Sequence, residues 1–104
     1  MMKIEISMST RDKSAFAYGI YTDGKVIVKT GGKINPVFRG LEKIKKIRQD
    51  KGFVDENYCI IKDCEFASPS EAAQFVNGNI SNGYRVWKVS GKNLGDYLKE
   101  VGLK

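Results

Sequence analysis

The sequence has no histidine, two cysteines, two prolines and one tryptophan, and each shortage removes a class of chemistry. Without histidine the chain cannot by itself form a Ser-His or Cys-His catalytic pair. Two cysteines also fall short of the four Cys or His ligands that a structural zinc site usually takes. No apolar run approaches the roughly 20 residues of a membrane-spanning helix, and Met1-Met2-Lys3-Ile4-Glu5 lacks the apolar core of a signal peptide. A cytoplasmic location is therefore expected, and a reducing compartment argues against a Cys59–Cys64 disulfide. Cys59 then reads as a small core residue in the apolar run 58–61, and Cys64 as a thiol near a strand end. The Asn79-Ile80-Ser81 sequon carries no weight without export. What is present, 104 residues with 41% hydrophobic and 29% charged side chains, suits one globular domain over 1–104. A chain of this length buries about two-thirds of its unfolded surface.

Periodicity and punctuation place the elements. Ile4, Ile6 and Met8 alternate with Lys3, Glu5 and Ser7, the period of a half-buried strand. Phe16, Tyr18 and Ile20 alternate again, Thr22-Asp23-Gly24 supplies a turn, and Val26 and Val28 alternate with lysines, so a hairpin is expected. Gly31-Gly32 reads as a turn in a flexible connector. Asn35-Pro36 reads as a cap followed by the first helical residue, opening a helix that Gly52 ends. On it Val37, Leu41, Ile44 and Ile47 form an apolar stripe, Arg39, Lys43 and Lys46 lie opposite, and Arg48 snorkels its head to water. A short apolar strand is expected over 58–62. Ser68, Pro69 and Glu71 form a capping box that opens a second helix, with Ala72, Ala73, Phe75 and Val76 on its apolar face and Gly78 as its stop. Asn82-Gly83 is a turn dipeptide, Tyr84 to Val89 a strand ending at Ser90-Gly91, and Asn93 the cap of a short last helix with Leu94, Tyr97, Leu98 and Val101. The expected fold is α+β: a small, mainly antiparallel sheet of four to five strands, two main helices on one face and a short C-terminal helix.

The second half of the chain carries a family pattern. Phe66, Ser68, Pro69, Ser70, Ala72, Ala73, Gly78, Asn82, Gly83, Tyr84, Trp87, Lys88, Gly91 and Leu94 resemble, in this order, the prokaryotic domain of unknown function 4357. The same residues more distantly resemble the RAMA domain, a module associated with restriction enzymes and adenine methylases. Upstream, Gly24, Val26, Val28 and Gly31 resemble the strand pair that precedes this block in the 4357 family. The resemblance implies a setting of modified or defended DNA, because such domains often close chains carrying a GIY-YIG nuclease or restriction-modification machinery. A nuclease or methylase partner is implied with it, and no activity of the domain's own.

Charge is distributed unevenly. Residues 25–51 hold nine basic and two acidic side chains, whereas residues 52–83 hold one basic and five acidic ones, within a net charge of +6. Clustered Lys and Arg are the footprint of a phosphate-binding protein, and they are equally the look of a solvated helix. The loop 78–83 offers either amide and glycine contacts to bases and phosphates or only a positive-φ turn at Asn82-Gly83. Ser68 is explained by capping, and Ser70 is left to contact a phosphate at the helix start. Trp87 is expected in the core with its indole N–H on a backbone carbonyl, leaving Tyr84 as the surface aromatic able to stack on a base. Asp63 and Glu65 share a strand face that could hold magnesium, but no nuclease-type Glu-x-Lys follows, and Glu71 is spoken for as a cap. The expected function is a non-catalytic nucleic-acid-binding module, directed at DNA and sensing modified bases, with no cofactor, metal or membrane partner. Its expected contacts are Lys33, Arg39, Lys43, Lys46, Ser70, Asn79, Asn82, Tyr84, Arg85 and Lys88. The alternative is a protein-interaction module whose acidic segment 55–65 meets a basic partner.

Overall fold

Alternation at the start of the chain produces β1 (Ile4–Ser9), which buries Ile4, Ile6 and Met8 and turns Glu5, Ser7 and Ser9 to solvent. The structure, a computed structural model, describes residues 3–102, and six strands and four helices lie among them. The expected hairpin forms from β2 (Phe16–Thr22) and β3 (Lys25–Val28). Asp23 at φ 48° and Gly24 at φ 84° make the doubly left-handed turn whose twist matches antiparallel strands. With β4 (Cys64–Phe66), β5 (Lys88–Val89) and β6 (Lys92–Asn93), the sheet order is β4-β3-β2-β1-β5-β6 and every strand pair is antiparallel.

The sheet is thus one or two strands larger than expected, because Ser90 at φ 49° and Gly91 at φ 87° fold residues 88–93 into a second tight hairpin where only a strand end was expected. The apolar strand over 58–62 does not form. Tyr58 is left-handed at φ 64°, and this segment makes only isolated bridges, Lys33 with Cys59 and Val54 with Ile60. The Asp55 carboxylate accepts from the N–H groups of Asn57 and Cys59, a local turn that replaces the ladder. Cys59 is consequently half-exposed rather than a core residue, whereas Cys64 lies at the end of a strand as expected, buried as the first residue of β4.

The first helix is shorter than its proline suggested. Asn35 Oδ1 accepts from the Val37 N–H at 3.1 Å, a turn rather than a helix cap, and α1 spans only Glu42–Arg48. Residues 35–41 form a strap tied to the next helix, α2 (Pro69–Asn77): Asn35 N–H donates to Val76 O, Arg39 N–H to Gly78 O and Leu41 N–H to Gln74 Oε1. These bonds satisfy the strap's backbone without helix, so Val37 and Leu41 leave the expected stripe and are exposed, at 61% and 46%. Ile44 is buried, and Ile47 is half-buried against the core.

Helix α2 follows its signature. Pro69 is its first residue, Ser68 Oγ accepts from Glu71 N–H at 3.2 Å, and Gly78 closes it at φ 84°. Gly78 is doubly constrained, since a Cβ there would also lie 2.1 Å from the Val37 carbonyl oxygen. Helix α2 packs its buried face on β2, β3 and β4 and carries α1 on its flank. The expected strand 84–89 instead begins as a one-turn helix, α3 (Gly83–Val86), whose Asn82 side chain caps Tyr84 N–H. Gly83 lacks the positive φ expected of it and is needed for another reason: a Cβ would sit 2.1 Å from the Pro69 carbonyl carbon. Trp87 is fully buried, and its indole N–H donates to Pro69 O at 3.0 Å, as expected. Asn93 caps the last helix, α4 (Leu94–Glu100), through Asp96 N–H, and α4 buries Leu94 and Leu98.

Candidate nucleic-acid interface

The ten expected contact residues fall into three places. The first is the strap and α1. Arg39 is exposed and bridges in parallel to Asn79, also exposed, so these two side chains emerge side by side just ahead of α1. Lys43, Lys45 and Lys46 are exposed on α1, and Lys43 pairs with Glu71 at 3.1 Å. The Glu71 carboxylate, expected as part of the cap, is thus engaged by Lys43, and it is the Glu71 backbone N–H that bonds the Ser68 side chain. Arg48 does not snorkel outward. Its Nε donates to Phe75 O at 3.1 Å, its Nη2 donates to Asn35 O, and its guanidinium lies 4.7 Å from the centre of the Phe38 ring. Burial pulls its pKa down to about 10, and the guanidinium ties the end of α2 to the strap.

The second place is the junction of α3 and α4, where Asn82, Tyr84, Arg85, Asn93, Asp96 and Lys99 border an open depression of about 540 Å³. Ser70 does not face a ligand at the α2 start. Its hydroxyl accepts from Gly83 N–H at 3.0 Å, because the close approach of α3 to Pro69 brings that amide onto it. Tyr84 packs half-buried against the core and hydrogen-bonds with Tyr21, so it is not the exposed stacking ring that strand alternation implied. Burial first, and Tyr84 next, raise the Tyr21 hydroxyl pKa. Arg85 is exposed at this junction.

The third place is the outer face of the sheet. Lys33 bridges to Phe16 beside β2, and Lys88 pairs with Ser7 on β1, so the lysines lie across one sheet rather than beside Tyr84. The strand face of Phe16, Tyr18 and Ile20 is the outer one. Ala17 is buried on the inner face, as is Gly19, where a Cβ would meet Ile27 O at 3.2 Å. Tyr18 is 56% exposed and meets the Phe16 ring edge-on, with centroids 6.3 Å apart. Sequence reasoning missed this pair; the available signal was the smallness of Ala17 and Gly19, which suits the side on which a helix approaches.

Several acidic residues are committed to bonds within the fold. Asp63 binds Lys29 Nζ at 2.7 Å and Thr30 N–H at 3.0 Å, and the lysine bond holds its carboxyl below the usual range. Asp12 accepts from Ser14 N–H, Ser14 Oγ and Thr10 Oγ1, which lowers its pKa from 3.8 to about 2 and fixes the loop between β1 and β2. Among the described residues no three Cys, Asp or Glu side chains cluster as metal ligands, and no helix is long and apolar enough to cross a membrane.

No match was found among curated proteins or among solved structures. The sequence model described as Domain of unknown function (DUF4357) matches residues 8–101, which include the hairpin, the strap, the capped α2, the buried Trp87 and α4, and the chain belongs to that family.

Proposed function

We propose that the chain is a non-catalytic DNA-binding module that serves restriction-modification or other DNA-processing machinery. One observation carries this reading. Of the nine basic side chains in residues 25–51, Lys25, Lys33, Arg39, Lys45, Lys46 and Lys51 are exposed and have no carboxylate within ion-pair distance among the described residues. A helix evolved only to be solvated would gain from interspersed acids, whereas cations held without partners release counterions when they meet phosphates. Arg39, Lys45 and Lys46 are the proposed phosphate contacts, and the adjacent Asn79 amide supplies donors and acceptors for base edges. Preference for modified bases, and a nuclease or methylase partner, belong to the same proposal.

The test is a fluorescence-anisotropy titration of unmodified and adenine-methylated duplexes over a range of salt. Each phosphate engaged should contribute about −0.9 to the slope of log K against log salt. Replacing Lys45 and Lys46 by Glu should weaken binding to every duplex and flatten that slope. Absence of binding at low salt would refute the reading, and salt-insensitive binding to a protein through segment 55–65 would replace it with an interaction module.

A further inference from the structure

We propose that the outer face of the sheet is a stacking platform for unpaired DNA, with Tyr18 receiving a base and Lys88, Lys33 and Lys13 holding the flanking phosphates. This rests on the DNA reading above but uses a different surface from the strap and α1.

The solvent side of a one-sided antiparallel sheet is normally polar. Here it carries two aromatic rings in contact, one of them more than half exposed, at its centre rather than at an edge. Strand register sets out the surroundings in rows. Across one row lie Lys88, Ser7, Tyr18 and, through its N–H to Tyr18 O, Lys29; the next row toward the loop between β1 and β2 is Ser9, Phe16 and Lys33. Tyr18 and Lys88 both neighbour Ser7, so they stand two strands apart, about 10 Å. The small Ser7 leaves that interval open. Two depressions result, of about 480 and 300 Å³, and both are bordered by Ser7, Tyr18 and Lys88. Both fall within the roughly 300–1,000 Å³ of small-molecule sites, and the Tyr18 ring stands where they meet.

Charge fixes the path. Lys13 borders the smaller depression and Lys33 lies beside Phe16, while Glu5 and Glu65 stand in the row of Ile20 and Ile27 beyond Tyr18. Lys29 is neutralised by Asp63. A phosphate backbone is therefore drawn along the Phe16 side, past Lys33, Lys13 and Lys88, and its bases reach inward to Tyr18. An exposed ring adds little for an acidic peptide without planar groups, whereas every base offers a face to it. A duplex keeps its bases stacked on one another, so the occupant is a single strand.

The experiment compares a single-stranded oligothymidylate with a duplex, by anisotropy at low salt, for the native chain, Tyr18→Phe, Tyr18→Leu and Lys88→Gln, with circular dichroism to establish folding. Tyr18→Leu should weaken single-strand binding by about 5- to 150-fold while Tyr18→Phe retains it. Duplex binding should respond to neither. Equal single-strand affinity of Tyr18→Leu and Tyr18→Phe would overturn the platform, and with duplex binding intact would leave the DNA reading standing. Loss of all nucleic-acid binding in the native chain would overturn both. Poly-glutamate bound in a Lys88-dependent but Tyr18-independent manner would assign this face to an acidic protein instead.

Discussion

Gly83→Ala inverts an ordinary expectation, since Gly to Ala inside a helix usually stabilises by up to about 1 kcal/mol. The added methyl would lie 2.1 Å from the Pro69 carbonyl carbon, 2.3 Å from its oxygen and 2.4 Å from Ser70 N. Carbon atoms in contact need about 3.5–4.0 Å, so α3 must retreat by more than about 1 Å from backbone that cannot rotate away. That retreat stretches two bonds now at 3.0 Å, Gly83 N–H to Ser70 Oγ and Trp87 Nε1–H to Pro69 O. Overpacking costs about 1–3 kcal/mol and each lost bond about 1 kcal/mol, offset by about 0.4–1 kcal/mol of unfolded-chain entropy. The net loss is about 2–4 kcal/mol, or roughly 10–30 °C in Tm for a domain of this size. Urea and thermal unfolding, followed by Trp87 fluorescence, measure it. Gly83→Asn separates the two explanations of this glycine. Asn tolerates a positive-φ turn, so a turn requirement predicts a mild loss, whereas close approach predicts a loss at least as large as for Ala. A stable Gly83→Asn, or Gly83→Ala within about 0.5 kcal/mol of the native chain, would refute the reasoning.

Ile44→Ala should destabilise by about 2–5 kcal/mol in urea melts, because Ile44 is buried, whereas Leu41→Ala at the exposed strap end should cost under about 1 kcal/mol. Equal losses would restore the longer helix. A thiol reagent at neutral pH should label half-exposed Cys59 first and Cys64 only on unfolding, since burial pushes the Cys64 thiol up to about 12; rapid labelling of both would contradict the placement of β4.

Elements whose signals are local were legible in the sequence. Ser68-Pro69 with Glu71, Asp23-Gly24, and Asn93 each bring their own cap or turn chemistry, and α2, the first hairpin and α4 follow from them. Segments held by distant partners were not. Asn35-Pro36 has the same local grammar as Ser68-Pro69, yet Val76, Gly78 and Gln74 of another element take up the backbone of 35–41 and leave no need for helix there. Asn82-Gly83 signals a break but not its kind, and the approach of Pro69 decides for a helical turn. The site divides in the same way. Exposure of Arg39, Lys43, Lys46 and Asn79 was readable, but the capture of Ser70 by Gly83, and the facing of β2 that turns Tyr18 outward, depend on which face α2 covers.

The sheet ends in β4 and β6, strands of three and two residues. A foreign strand recruited to either margin would find a ladder too brief to repay the ordering of its backbone, so six strands form without a long template for further growth. High local concentration therefore brings copies together without inviting them to merge into a continuous sheet.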